Sequence, residues 1–221
     1  MIRRLNIIIV YLFLSLSCFC QASLHPFWED IQAFKKQDNI AIPPKNRILF
    51  IGSSSFTLWK DVQEYFPDYK ILNRAFGGST LKDLIFYYKD IIVPYQPKQI
   101  VIYCGENDIA TSKEITGKIV FQRFRQLYDS IRAYSANVPI VYVSMKPSPS
   151  RWHLRKKMKN GNKRIRKFCN KTSTAIFVSV WKDMLKNGKP RSDIFLDDNL
   201  HMNKKGYLIW QKRLSPVLKK E

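Results

Sequence analysis

The chain is poor in histidine, cysteine and acid, and each shortage narrows its chemistry. Three histidines and four cysteines occur in 221 residues. No two Cys or His residues stand at the spacing of zinc ligands, so no metal site is expected. Cys18 and Cys20 fall in an N-terminal leader, which leaves Cys104 and Cys169. Cys104 closes the apolar run Gln99 to Cys104 and reads as a small core residue rather than a disulfide partner or a nucleophile. Acids number 17 against 38 Lys and Arg, a net charge of +21. Repeats and low-complexity tracts are lacking, and 45% hydrophobic residues are ample for one packed domain.

The leader, Met1 to Ala22, has a basic start at Arg3 and Arg4, an apolar run from Ile7 to Phe19, and Cys20-Gln21-Ala22 with small residues at both ends. That pattern predicts a secretory signal cleaved near Ala22 and a single domain over residues 23–221. The apolar run is short for a membrane span, which needs about 20 residues. Cys18 and Cys20 stand in poor contexts for lipid attachment, so the mature protein is expected to be secreted or periplasmic rather than anchored. Arg3 and Arg4 leave with the leader and no acid does, which takes the net charge from +21 to +19. From Arg151 to Lys171 there are ten Lys or Arg and no acid, a solvated helix face with a weak attraction to anionic surfaces. No motif for specific nucleic-acid readout accompanies it.

Five apolar runs read as buried parallel strands: Arg47 to Gly52, Lys70 to Asn73, Gln99 to Cys104, Pro139 to Ser144 and Ala175 to Val180. Between them the period changes to that of a helix, as in Leu81, Leu84, Ile85 and Tyr88, and in Val120, Phe124, Leu127, Ile131 and Tyr134. A lead-in helix over Pro26 to Lys36 is expected to lay Phe27, Trp28, Ile31 and Phe34 on the sheet. A last helix from Asn203 to about Leu218 should hold the loop before it. Alternating strands and helices predict a three-layer α/β/α sandwich around a five-stranded parallel sheet, flavodoxin-like, with ligands at the C-terminal strand ends.

The chemistry-bearing residues cluster at those ends. Asp198-Asn199-Leu200-His201 supplies an imidazole with a nearby carboxylate to orient it. His25 lies near the start, where chains are often loosely held, and the cationic field around His153 disfavours a second positive charge, so His201 is the best base. Ser53, Ser54 and Ser55 follow the first strand, where a serine is either reachable by a ligand or a helix cap. Gly77-Gly78 after the second strand lets backbone approach a ligand or makes a tight turn. Asn107, in Gly105-Glu106-Asn107-Asp108 after the third, offers uncharged N–H donors or forms part of a turn.

In this order, Gly52-Ser53-Ser54, Gly78, Gly105-Glu106-Asn107 and Asp198-Asn199-Leu200-His201 resemble the four signature blocks of the SGNH (GDSL-like) esterase and lipase superfamily. The resemblance spans nearly the whole mature chain. It implies Ser54 as nucleophile, His201 and Asp198 completing a triad, and an oxyanion hole of Ser54 N–H, Gly78 N–H and the Asn107 side chain, with no cofactor. Two positions depart from the pattern. Ser53 stands where the usual motif has an acid, leaving Ser53 or Ser55 as an alternative register for the nucleophile. Asn199 stands where a glycine is common and tolerates a left-handed turn better than most residues. Lys146 to Trp152 looks like a fixed loop in secreted bacterial members similar to platelet-activating-factor acetylhydrolase, or is a proline-stiffened connection. The expected substrate is a small-molecule or glycan ester, with short-chain O-acyl esters such as acetyl groups on carbohydrates first, because a domain with no evident lid or long apolar insertion suits small acyl groups. Lysophospholipid or acetyl-phospholipid hydrolysis is the second reading, and a non-catalytic binder of acidic glycans or membranes the third.

Overall fold

The computed structural model describes residues 25–220, so the leader lies outside the described residues. In chain order the elements are α1 (Trp28–Ile40), β1 (Ile48–Gly52), α2 (Ser54–Thr57), α3 (Val62–Tyr65), β2 (Ile71–Asn73), α4 (Leu81–Ile91) and β3 (Gln99–Tyr103). Then come α5 (Glu106–Thr111), α6 (Gly117–Tyr134), β4 (Ile140–Val143), α7 (Arg155–Cys169), β5 (Ala175–Val178), β6 (Leu185–Lys186), β7 (Lys189–Pro190) and α8 (Lys204–Leu214).

All five expected strands pair in parallel, in the order β2-β1-β3-β4-β5. Their runs are continuously apolar because both faces are covered. On one face Leu49, Ile51, Ile100, Ile102, Ile140 and Tyr142 meet side chains of α4, α6 and α7. On the other, Phe50, Val101, Tyr103, Val141 and Val143 pack with Phe56, Trp59, Tyr207 and Trp210. The chain order reverses between β1 and β3, and a crevice at such a switch point is where open α/β sheets take ligands.

Local chemistry fixes the helix starts. Thr80 N–H and Oγ1 both donate to Asp83 Oδ2, at 2.8 and 2.6 Å, to begin α4. Asn203 Oδ1 accepts from Lys205 N and Gly206 N to begin α8, a cap worth about 1 kcal/mol. The basic run becomes α7, which buries Met158, Gly161, Asn162, Ile165 and Cys169 and turns its Lys and Arg outward.

Three details depart from expectation. The lead-in helix runs on to Ile40, and only Ile31 is fully buried, because α4 and α6 already cover that face of the sheet; α1 packs on α4 and leaves Trp28 39% exposed. His25 is not loose: its ring stacks on Phe86 at 3.6 Å. A hairpin, β6–β7, follows β5, turned by Asn187 and Gly188 at φ 51° and 76°. Among the described residues, no helix is long and apolar enough to cross a membrane.

Candidate active site

Gly52 ends β1 at φ 142°, and a Cβ there would lie 1.9 Å from the Tyr103 carbonyl oxygen, so only glycine lets the chain turn this close to β3. The turn delivers Ser54 as the first residue of α2. Ser53 and Ser55 are buried, Ser53 makes no side-chain cap, and Ser54 is the one partly exposed. Of the three, Ser54 alone reaches His201: Oγ lies 2.9 Å from Nε2.

His201 sits in the loop between β7 and α8. Phe195 and Met202 bridge, Leu196 N–H donates to the His201 carbonyl at 2.8 Å, and Asn203 Nδ2 donates to the carbonyls of Asp193 and Phe195. Asn199 adopts φ 55°, the left-handed turn that brings Asp198 back on the ring. Asp198 Oδ2 then stands 2.5 Å from His201 Nδ1, while Oδ1 accepts the backbone N–H groups of Leu200 and His201 at 2.9 Å. Desolvation would raise the Asp198 carboxyl, but those N–H groups and the ring outweigh it and hold the carboxyl at about 2. An acceptor so firmly ionised fixes the tautomer that leaves Nε2 free to take a proton.

The donors opposite are equally built. Among the described residues, neither the Ser54 nor the Gly78 backbone N–H donates to another protein group, and both residues line one open pocket of about 360 Å³ with Asn107, Arg151, Leu58 and His201. Asn107 Nδ2 donates to the Ser79 carbonyl at 2.9 Å, which leaves its second N–H unbound. Its Oδ1 accepts from Arg151 Nη1 at 2.9 Å. With both ends held, the amide cannot flip.

Behind Asn107 is a buried ionic cluster that sequence reasoning missed. Glu106 and Lys146, each 2% exposed, pair at 3.2 Å; Arg151 Nη1 reaches Glu106 Oε1 at 3.1 Å, and the Tyr103 hydroxyl donates to Glu106 Oε2. Burial alone would raise the Glu106 carboxyl, yet Lys146 and Arg151 bring it below the usual range. Burial pulls the Lys146 ammonium down, and Glu106 restores only part of that. Each residue was visible as a charge in the sequence, but they come from the ends of two strands and read separately as turn and loop. The expected loop after β4 is thereby wall as well as connection: Lys146 and Arg151 anchor it to Glu106, and Ser150 bonds the Asn199 carbonyl.

Among the described residues, no three His, Cys, Asp or Glu side chains converge as a metal site requires. Cys104 and Cys169 are buried and unpaired, with burial pushing the Cys169 thiol to about 12 and the Cys104 thiol well above its ordinary value.

Solved structures share this architecture. A protein provisionally described as a platelet activating factor from Streptococcus pneumonia superposes with a TM-score of 0.74 at 22% identity, over 86% of this chain and 92% of its own. A GDSL-like lipase from Bacteroides thetaiotaomicron gives 0.72 at 18%, over 85% and 96%. An acetylxylan esterase from Geobacillus stearothermophilus gives 0.63 at 14%, over 81% and 97%. No curated protein sequence matches significantly. Residues 52–209 match the GDSL-like lipase/acylhydrolase family, so a chain with this parallel sheet and these strand-end blocks belongs to that family and is a carboxylic ester hydrolase.

Proposed function

We propose that the protein removes short acyl groups, acetyl above all, from hydroxyls of carbohydrate-like alcohols, with Ser54 as nucleophile. The observation that carries this is the relay of Ser54 Oγ, His201 and Asp198 at 2.9 and 2.5 Å. His201 Nε2 takes the Ser54 proton as Oγ attacks the ester carbonyl, and Asp198 stabilises the imidazolium that forms. The tetrahedral oxyanion is met by the N–H groups of Ser54 and Gly78 and the free N–H of Asn107, none of which must reorient. Protonated His201 then gives its proton to the departing alcohol, and water repeats the sequence on the acyl-enzyme.

The small acyl group is supported by the site's shape. The pocket is open, about 360 Å³, and walled beside Ser54 by Gly77, Gly78, Thr57 and Leu58. A likeness in fold to an acetylxylan esterase points the same way.

The test is hydrolysis of p-nitrophenyl esters from acetate upward by the mature protein and three variants. Ser54→Ala and His201→Ala should each lower kcat by roughly 10⁴-fold or more with the melting temperature unchanged. Asn107→Ala, which removes one donor, should cost about 100- to 1,000-fold. Acetate should be the best acyl group. Folded Ser54→Ala that still turns over acetate at the wild-type rate would remove Ser54 from the mechanism.

A further inference from the structure

Arg151 lines two cavities at once. One is the catalytic pocket; the other, about 370 Å³, is lined by Ile109, Lys113, Arg151, His153, Leu154 and Lys157, with no acidic side chain in its wall. Among the described residues, Lys113, His153 and Lys157 have no acidic partner, and Lys157 Nζ donates only to the Lys113 carbonyl. The buried cluster behind it adds to the imbalance, since among the described residues Glu106 is the one carboxylate in direct ion-pair contact with Lys146 and Arg151. Lys146 is sealed at 2% exposure, so the surplus positive charge meets solvent at Arg151, which is 20% exposed.

The guanidinium is also half used. Nη1 donates to Glu106 and Asn107, and among the described residues Nε and Nη2 have no partner. Nε and Nη2 form the edge whose parallel N–H groups grip a carboxylate or phosphate bidentately. The cavity shares Arg151 with the pocket that holds Ser54 and His201. His201 must reprotonate the departing alcohol, and the Arg151 loop is tied to the His201 loop through Ser150 N–H and Oγ donating to the Asn199 carbonyl at 3.1 and 2.9 Å.

We propose that this second cavity is a leaving-group subsite for alcohols bearing a carboxylate or phosphate, gripped by the Nε–Nη2 edge of Arg151 and by Lys113 and Lys157. The inference rests on the Ser54 hydrolase reading and narrows its substrate to acyl esters of anionic alcohols. Arg151 thus joins two tasks: one nitrogen sets the oxyanion donor, and the opposite edge sets which alcohol lies beside it.

Three acetyl esters of similar size test it: 4-acetoxybenzoate, 4-acetoxyphenyl phosphate and the neutral 4-acetoxybenzamide, each rate divided by that ester's rate with hydroxide. Charge-assisted hydrogen bonds predict a kcat/KM about 10- to 100-fold higher for at least one anionic ester, mostly through KM. Preference for the benzoate alone assigns a carboxylate, and for the phosphate alone a phosphoryl group. Lys113→Gln with Lys157→Gln should erase most of that preference; Arg151 stays in the variant because its loss would also release Asn107. Equal wild-type values, or a preference that survives the double substitution, overturns the subsite while leaving Ser54 hydrolysis intact. Should the wild type hydrolyse none of the three, the Ser54 reading fails, and calorimetric titration with inorganic phosphate decides the subsite. Tighter binding to the wild type than to the double variant supports it, and equal binding overturns it.

Discussion

Two buried ionic clusters, each completed by a tyrosine hydroxyl, do different work in this molecule. In the first, Arg74 pairs with Asp38, Arg74 Nε donates to the Tyr95 hydroxyl at 2.8 Å, and that hydroxyl donates to Asp38 Oδ2 at 2.5 Å. One cation meets one anion, each guanidinium nitrogen has a partner, and α1 is fastened to the end of β2. In the second, Glu106 serves both Lys146 and Arg151 beside Tyr103. A balanced cluster closes on itself and acts as a fastener. The unbalanced one keeps a charge and a donor edge in hand, and it stands directly behind Asn107. The comparison teaches that the arithmetic of charge, more than burial, separates a fastener from a working part.

The hardest break is Glu106→Ala. It strands two cations, one of them almost fully buried, and removing one partner of a buried pair costs about 3–5 kcal/mol. A urea midpoint should fall accordingly. The folded fraction should also lose about 10- to 100-fold in kcat, because Arg151 no longer has its second anchor and Asn107 drifts. Lys146→Met sharpens the point: it leaves Glu106 and Arg151 as a one-to-one pair like the first cluster, so the stability loss should be clearly smaller than for Glu106→Ala. Equal losses would mean the surplus charge is unimportant.

Asp38→Ala is the matching break in the balanced cluster. Asp38 is 17% exposed at its side chain, so water compensates Arg74 in part and the loss should sit at or below the lower end, about 2–3 kcal/mol. Since neither Asp38 nor Tyr95 touches Ser54, His201 or Asn107, kcat/KM of the folded enzyme should stay within about twofold, a change below half a kcal/mol. A fall as large as that for Glu106→Ala would erase the distinction between the two clusters.

How much of this was legible in the sequence follows from the same physics. The five strands were readable because buried parallel strands are continuously apolar, whereas Ser54, Gly78, Asn107, Asp198 and His201 were named through the resemblance of four blocks in order to a known family, each block alone being readable as a cap or a turn. The clusters were not readable. Lys146 and Arg151 belong to a chain with 38 Lys and Arg, where another cation reads as solvated surface, and nothing local marks a lysine as 2% exposed. Their partner Glu106 is 40 and 45 residues away in sequence and becomes a neighbour only when β3 and β4 lie side by side. The lead-in helix covers less than expected for a related reason: a periodic stripe of Phe27, Trp28, Ile31 and Phe34 announces an apolar face without saying how much of the sheet is still uncovered. The Asn187-Gly188 hairpin, by contrast, carried a local turn signal.

Among the acids, the smallest stability effect should come from Asp198, the carboxylate of the proposed relay. Asp198 is 45% exposed at its side chain, so although its carboxyl is held at about 2 rather than the ordinary 3.8, solvent screening limits its contribution to no more than about 1 kcal/mol. The sign follows from linkage. A carboxyl whose value is lowered on folding stabilises the fold above 3.8, and that contribution fades as the pH falls through about 2. Melting curves of wild type and Asp198→Asn should therefore differ slightly near neutrality and converge at the acid end. Activity should behave oppositely: in the proposed mechanism this carboxylate fixes the His201 tautomer and stabilises the imidazolium, so its loss should lower kcat by roughly 10⁴-fold. Asp38→Ala unsettles the fold and spares the chemistry, whereas Asp198→Asn spares the fold and stops the chemistry. A variant at Asp198 that melted far below wild type at neutral pH while keeping its turnover would place Asp198 with the fasteners instead.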